Sequence, residues 1–236
     1  MYAVLFDIDG TLLLTGGAGK WCFVETFRRD FQLAEPAGDV LFAGRSDRAI
    51  AEELMQLNGV EPSAENWQRF LTGYCRRVDE ALARSTGALL PGVVELLDEL
   101  GRLKHVGVGL LTGNVEHGAW AKLGHYGLAD RFAFGGFGDH HADRNEIAAA
   151  ALRAAERYAA EHSNGAPRRL QGVMVIGDTT NDVRCARSIG AYAVAVATGN
   201  TSRGELAASG PDLLLADLTD SHALLAELRS AGSGIP

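Results

Sequence analysis

The segment YAVLFDIDGT, residues 2–11, joins a short apolar run to two carboxylates placed just after it. An apolar run of five residues is typical of a strand buried on both faces of a parallel sheet. Asp7 and Asp9 would then lie at the carboxyl end of that strand, where Gly10 permits the turn that brings their side chains together. Ligands bind at this edge of open parallel sheets. The segment therefore predicts both the kind of sheet and the position of a functional site.

Further apolar runs of the same character alternate with helical patterns along the chain. The predicted strands cover residues 106–111, 132–134, 172–176 and 191–197, with a short edge strand at 213–215. The predicted helices between them cover residues 93–103, 116–126, 145–161 and 182–189. Such alternation favours βαβ units with right-handed crossovers. We therefore predict an α/β fold with a doubly wound parallel sheet.

One region interrupts the alternation of strands and helices. Between residues 17 and 87 the sequence has helical patterns at 21–31, 47–57 and 64–83 and no convincing strand. Ser46 and Ser63 are placed to cap the second and third of these helices. We predict a helical cap domain, residues 17–87, inserted into an α/β catalytic core made of residues 1–16 and 88–236. A loop at 163–167 and a frayed tail at 230–236 complete the predicted organisation.

Composition limits the classes of partner. The 236 residues carry 22 basic and 30 acidic side chains, a net charge of −8, which argues against a nucleic-acid partner. No apolar run is long enough to cross a membrane, and the N-terminus has no basic leader. The three cysteines are an odd number without metal-site spacing, as in a reduced cytosolic protein. We expect a cytoplasmic protein with no membrane partner, and the oligomeric state stays open.

Polar residues also follow two other predicted strands. Thr112, Gly113 and Asn114 follow the second strand, and Asp178 and Asp182 follow the fourth. The fold class alone brings these groups to one edge of the sheet. A cluster of carboxylates needs a cation, and hard oxygen ligands with open positions suit Mg²⁺. Because such an ion would also accept a phosphate, the pattern indicates phosphoryl transfer.

These strand ends resemble the motifs of the haloacid dehalogenase-like hydrolase superfamily. Residues 6–12 resemble its first motif, residues 111–114 its second and residues 177–182 its fourth. The helical insert and residues 90–93 resemble the phosphoglycolate phosphatase-like branch, which places a cap after the first motif. The resemblance extends over nearly the whole chain.

The resemblance implies a role for each matching residue. Asp7 would be the nucleophile that forms an aspartyl-phosphate, and Asp9 would be the general acid and then the base. Asp7, the backbone carbonyl of Asp9 and the side chain of Asp178 would bind Mg²⁺, with Asp182 supporting the ion.

The second motif would bind the phosphate group. Thr112 and the amide of Gly113 would hold the phosphate oxygens, with Asn114 nearby. The substrate implied by the branch is a small phosphorylated metabolite, such as a phosphoglycolate-like compound or a sugar phosphate.

The third motif departs from the family pattern. The family has a lysine at the start of the helix before the fourth motif, whereas this helix has Arg144. A guanidinium supplies the same charge with a bidentate fork, so we expect Arg144 to take the place of the lysine. Lys122 lies too early, on the helix after the second motif. In the insert, Gly44 and Arg45 are expected to face the site, although an exposed Arg45 without such a role is equally compatible with the sequence.

Other functions remain open at this stage. Asp9, two residues after the nucleophile, favours a phosphatase over a dehalogenase, but a phosphomutase would carry both aspartates. A phospho-accepting signalling module would also have acidic residues after a strand. Such a module does not carry an inserted helical cap or the late pair Asp178 and Asp182. The third alternative is a catalytically inactive binding protein of the same fold, and the intact aspartates argue against it.

Overall fold

The computed structural model describes residues 1–36, 38–162 and 170–232. Its strands are β1 (Tyr2–Phe6), β2 (Leu13–Leu14), β3 (Ala88–Leu89), β4 (Val106–Leu111), β5 (Phe134–Gly136), β6 (Gly172–Gly177), β7 (Tyr192–Val196) and β8 (Leu213–Leu215). Six of them form one sheet in the order β5-β4-β1-β6-β7-β8, and all its neighbours are parallel. The predicted parallel sheet is confirmed.

The helices cover both faces of this sheet. They are α1 (Ala18–Asp30), α2 (Asp47–Leu57), α3 (Ala64–Cys75), α4 (Val78–Arg84), α5 (Val93–Arg102), α6 (Glu116–His125), α7 (Arg144–Glu161), α8 (Thr180–Ser188), α9 (Arg203–Ala208) and α10 (His222–Gly232). Apolar residues of α5, α6 and α10 pack on one face, and those of α7, α8 and α9 pack on the other. The sheet is therefore doubly wound, as predicted.

Strand β1 lies at the centre because every one of its residues is apolar. All five are buried, and the strand pairs with β4 on one side and β6 on the other. Its side chains alternate between the two cores: Val4 and Phe6 belong to one, Ala3 and Leu5 to the other. The chain runs outward from β1 through β4 to β5 and then returns to place β6 on the opposite side. The order of the strands reverses at β1, so Asp7 leaves the sheet at the point where α/β folds bind ligands.

Four helices, α1 to α4, occupy the region that interrupts the alternation. They share an apolar cluster that includes Phe23 and Phe70, whose ring centroids are 4.8 Å apart. Ser46 and Ser63 cap α2 and α3, each accepting a hydrogen bond from the backbone three residues on. The division of the chain into a core and a cap stays a prediction.

The prediction of one helix over residues 64–83 is wrong, because the chain breaks between α3 and α4. Arg77 donates to the carbonyl of Gly73 and to the carboxylate of Asp30 on α1, at 2.7 and 2.5 Å. The ion pair with Asp30 holds Arg77 between the two helices, and the chain continues after it as the shorter helix α4.

Two short strands were not predicted from the sequence. The two-residue strands β2 and β3 pair antiparallel, Leu13 opposite Leu89, and so join the chain where it enters and leaves the helical region. Strands of two residues carry no periodic pattern.

The helices α9 and α10 were not predicted, and α10 includes residues 230–232 of the predicted tail. The predicted loop at 163–167 and the rest of the tail lie outside the described residues. Among the described helices, none is long and apolar enough to cross a membrane.

Candidate active site

The end of β1 brings Asp7 against the end of β6. The amide of Asp7 donates to the carbonyl of Ile176 at 3.0 Å, which continues the ladder between the two strands. The chain then turns at Gly10, where φ is +84°, and a β-carbon there would lie 2.4 Å from the Oδ2 atom of Asp178. Only glycine fits this position, because it combines a left-handed conformation with a close approach.

Three buried carboxylates meet at this edge: Asp7, Asp178 and Asp182 offer oxygens that lie within 4.8 Å of one another. Burial, together with the carboxylates of Asp182 and Asp9, raises the pKa of Asp7 to about 7 against the lowering effect of Arg144. Burial, together with Asp182 and Asp7, raises the pKa of Asp178 to about 8. Carboxylates crowded in this way hold protons unless a cation joins them.

The donor set fits Mg²⁺, which prefers carboxylate oxygens and keeps open positions for water and phosphate. Asp178 accepts a hydrogen bond from the hydroxyl of Thr11 at 3.1 Å and keeps further oxygen lone pairs for an ion. Asp182 is more fully bound by the protein. It accepts from the amide and hydroxyl of Thr179, at 2.9 and 2.6 Å, and from Arg144. Asp7 and Asp178 are therefore the side chains suited to ligate the ion, and Asp182 supports them.

Arg144 is the first residue of helix α7, and its side chain reaches the carboxylates of the site. The sequence analysis predicted a cation from this helix at that place. Its Nη2 atom hydrogen-bonds Asp182 and lies 3.6 Å from the Oδ2 atom of Asp7. These two carboxylates raise the pKa of Arg144 although burial lowers it, so the guanidinium stays charged. Its Nε atom is buried without a hydrogen-bond partner among the described residues, which leaves one donor unused.

The second motif follows β4 and reaches the same edge. Thr112 is fully buried, and its Oγ1 atom accepts from the side-chain amide of Asn114 at 2.8 Å. A β-carbon at Gly113 would lie 2.1 Å from the carbonyl oxygen of Arg45, so the helical region rests directly on this turn. The amide of Asn114 also donates to the Oδ2 atom of Asp9 at 2.8 Å. The side chain of Asn114 is thus engaged with a carboxylate, and its contact with a phosphate stays a prediction.

The sequence missed Lys122, which reaches the site from α6. Its side chain is only 4% exposed, and its Nζ atom donates to the Oδ2 atom of Asp9 and to the Oδ1 atom of Asn114, both at 2.5 Å. Burial lowers the pKa of Lys122, but the carboxylates of Asp9 and Asp47 outweigh burial and raise it, so the ammonium stays protonated. The sequence set Lys122 aside only as the third-motif cation, and it did not predict that this lysine would reach Asp9. The alanine-rich and glycine-rich helix around it gives no sign of which way its side chain points.

Two neighbouring residues of the helical region, Gly44 and Arg45, line the site. The carbonyl of Gly44 accepts from the side chain of Asn181 at 2.7 Å, which ties the loop before α2 to α8. Arg45 is held within its own region: its guanidinium pairs with Glu53 at 2.5 Å and donates to the carbonyls of Leu41 and Ala49. Its charge is therefore already compensated.

Asp47 makes a second tie between the helical region and the core. Its amide donates to the carbonyl of Gly113 at 2.7 Å, and its carboxylate accepts from the amide of Val115 at 2.9 Å. Burial raises the pKa of Asp47 to about 6, against the lowering effects of Lys122 and the Val115 amide.

Between the two regions lies a cavity of about 440 Å³. Its floor is polar and includes Asp7, Asp9 and Asp178, whereas Phe23 and Phe42 of the helical region line its other side. The volume falls in the range of small-molecule sites. The arrangement can hold a cation and a phosphate at the floor and the rest of a substrate beneath the helices.

Known proteins are similar to this chain over most of its length. The family model described as haloacid dehalogenase-like hydrolase matches residues 4–187. A phosphoglycolate phosphatase of Synechococcus elongatus is 29% identical over 232 residues, which cover 93% of this chain and 95% of that protein.

Solved structures share the fold. CbbY from Rhodobacter sphaeroides, in complex with phosphate, has a TM-score of 0.67 at 20% identity and covers 93% of this chain and 96% of its own. A candidate beta-phosphoglucomutase of Thermotoga maritima has a TM-score of 0.57 at 24% identity. It covers 97% of this chain and 100% of its own.

Proposed function

The chain belongs to the haloacid dehalogenase-like hydrolase family, and we propose that it is a Mg²⁺-dependent phosphatase acting on a small phosphorylated metabolite through an aspartyl-phosphate. The observation that carries the proposal is the buried cluster of Asp7, Asp178 and Asp182 with Arg144 beside it. Three ionised carboxylates and one guanidinium give the site a net negative charge. A bound dication would neutralise that charge and allow a phosphoryl group to bind.

In this mechanism a carboxylate oxygen of Asp7 attacks phosphorus as the bond from phosphorus to the leaving oxygen breaks. Asp9 gives its proton to that oxygen, so the product leaves as an alcohol. A water molecule then attacks the phosphorus of the aspartyl-phosphate as the bond from phosphorus to the Asp7 oxygen breaks, and Asp9 takes a proton from that water. Inorganic phosphate is released, the Asp7 carboxylate is restored, and Asp9 is protonated again. Bound Mg²⁺ would supply charge neutralisation for the phosphoryl oxygens, held by Asp7 and Asp178 with Asp182 behind them. Arg144 adds a fixed positive charge beside the nucleophile.

The state of Asp7 supports the need for a cation. With its pKa raised by burial to about 7, the free carboxyl is largely protonated below neutral pH. A protonated carboxyl is a poor nucleophile. A dication at the cluster would favour the ionised form, which is the form that attacks phosphorus.

The helical region, residues 17–87, is proposed to act as a cap over the site. The tie from Gly44 to Asn181 and the contact of Arg45 with Gly113 support this role, because both join the region to residues at the carboxyl edge of the sheet. Closure would exclude bulk water and opening would release product. Thr112 and the amide of Gly113 remain our choice for phosphate contacts.

The leaving group is proposed to be small, in keeping with the phosphoglycolate phosphatase relative, and sugar phosphates are the other candidates. Arg45 is already paired with Glu53, so a carboxylate on the substrate would have to compete for it. A phosphomutase is the second candidate, and the fold shared with the Thermotoga maritima protein is the observation that keeps it. The net charge of −8 supports the absence of a nucleic-acid partner, and the three free cysteines support our proposal of a cytoplasmic enzyme without a membrane partner.

The first test is turnover of a panel of phosphorylated metabolites by the wild-type protein and by Asp7→Asn, with Mg²⁺ and with EDTA. We expect the wild type to release inorganic phosphate only with Mg²⁺. Asp7→Asn should be inactive because an amide does not attack phosphorus, whereas Asp79→Asn, on the exposed side of α4, should match the wild type.

Three results would decide against the proposal. Substantial phosphate release by pure Asp7→Asn would exclude the covalent role, and equal rates in Mg²⁺ and EDTA would exclude the metal. Isomerised sugar phosphate without phosphate release would identify a phosphomutase.

A further inference from the structure

Among the described residues, Lys122 is the buried cation at the site that neither the family motifs nor the proposed mechanism uses. It extends from α6 to the floor of the cavity with 4% of its side chain exposed. Burying an ammonium is costly unless it is paired and hydrogen-bonded. Two of its three N–H groups are used on Asp9 and Asn114, both at 2.5 Å. The ammonium is therefore committed to the protein.

The two oxygens of Asp9 have different surroundings. Oδ2 accepts from Lys122 at 2.5 Å and from the amide of Asn114 at 2.8 Å. Oδ1 accepts no hydrogen bond from any residue that the structure describes. The side chain is 41% exposed and lines the cavity. One oxygen is thus anchored and the other is available to a ligand.

Lys122 also fixes the amide that completes this anchor. By donating to the Oδ1 atom of Asn114, it leaves the Nδ2 atom of Asn114 to face Asp9 and the hydroxyl of Thr112, both at 2.8 Å. Without the ammonium, Asn114 would lose the contact that sets the orientation of its amide.

We propose that Lys122 is a positioning residue that pins the Oδ2 atom of Asp9, directly and through Asn114, so that Oδ1 carries the proton exchanged with the leaving group. This inference rests on the proposed function, in which Asp9 is the acid and base. Positioning of this kind matters because a proton transfer requires heavy atoms within hydrogen-bond reach, and a displacement of about 1 Å can cost about 10²-fold in rate.

The role predicts how the effect of Lys122 depends on the substrate. A poor leaving group, such as an alkoxide, needs the proton from Asp9, whereas 4-nitrophenolate leaves without one. Lys122→Met should therefore lower kcat/KM by about 10²-fold for an alkyl phosphate of the panel, but by less than about tenfold for 4-nitrophenyl phosphate. KM should change little for either substrate, because Lys122 acts on Asp9 and not on the substrate.

A double-mutant cycle joins the effect to Asp9. If Lys122 acts through that carboxylate, the variant with both Asp9→Asn and Lys122→Met should be no more than about twofold slower on the alkyl phosphate than Asp9→Asn alone. Lys104→Met removes an exposed lysine remote from the site and should match the wild type. Circular dichroism and thermal unfolding establish that each variant is folded. Lys122→Gln gives the same comparison should the methionine variant fail to fold.

The outcomes separate this inference from the function on which it rests. Equal losses on the two substrates, or a raised KM with unchanged kcat, would overturn the positioning role, as would additive effects in the cycle. In each of those cases the wild type still hydrolyses phosphomonoesters and Asp7→Asn still does not. Failure of the wild type to release phosphate from any substrate would instead refute the proposed function.

Discussion

At the scale of single residues, Arg144 decides how much negative charge the site can hold. It hydrogen-bonds Asp182 and lies 3.6 Å from Asp7 without forming a hydrogen bond to it. One of its donors, Nε, is unused within the described chain. A guanidinium in this position is set to interact with charge that develops on a transferring phosphoryl group.

Arg144→Ala should lower kcat/KM by a factor of about 10² to 10³, the range for the loss of one preorganised electrostatic contact. Arg144→Lys should recover part of the loss, since it restores charge without the fork. The measurement is steady-state kinetics on the best substrate of the panel. The control is Arg131→Ala, because Arg131 forms an exposed pair with Asp98 at 2.6 Å. Near-normal kinetics in Arg144→Ala would remove this residue from the site.

Residues differ in how far the sequence predicts their place. Asp7, Asp178 and Arg144 each stand at the end of a strand or the start of a helix, and the fold class sends such positions to one edge. Lys122 lies in the last turn of α6, and the direction of its side chain depends on how the helix packs. Its partners are 113 residues away and 8 residues away, and only the folded chain brings them together.

At the scale of elements, α2 controls how the helical region meets the core, because Asp47 lies in its first turn. The carboxyl of Asp47 is buried with a pKa raised by burial to about 6, against about 3.9 in an unfolded chain. Between these two values the folded state holds a proton that the unfolded state has lost. The stability from this group is complete below about pH 4 and declines as the pH rises to about 6.

Asp47→Asn should remove that decline, since an amide does not titrate and its oxygen can still accept from Val115. Relative to the wild type, the variant should gain free energy of unfolding between pH 4 and pH 7, by at most roughly 3 kcal/mol for a shift of about two pKa units. Urea unfolding at pH 4, 5, 6 and 7 in EDTA measures it, with the exposed Asp39→Asn as control. The same pH dependence in Asp47→Asn and the wild type would contradict the assignment.

Helices and strands could be predicted where they are long enough to show a complete hydrophobic pattern. The five-residue strand β1 and the helix α2 match the predicted ranges, because each has a complete pattern of its own. The break between α3 and α4 and the pair of β2 with β3 depend on contacts far along the chain, such as Arg77 with Asp30. A pattern along the sequence does not contain those contacts.

At the scale of the whole molecule, the site is shared by parts of the chain that are distant in sequence. The nucleophile follows β1, the remaining carboxylates follow β6, and the helical region touches both second-motif and fourth-motif turns. A ligand that joins the carboxylates therefore links the ends of two central strands. Binding to the folded state alone stabilises it by mass action.

Mg²⁺ should raise the Tm of the wild-type protein more at pH 8.5 than at pH 6. Burial raises the pKa of Asp7 to about 7 and that of Asp178 to about 8, so at pH 6 both carboxyls hold protons that the ion must displace. At pH 8.5 both are ionised, affinity is higher, and millimolar Mg²⁺ should add several degrees. Differential scanning fluorimetry with Mg²⁺ or EDTA measures the shift without relying on turnover. Asp178→Asn should abolish it, whereas the exposed Asp130→Asn should keep it. A shift that is the same at both pH values, or that survives in Asp178→Asn, would show that the ion binds elsewhere.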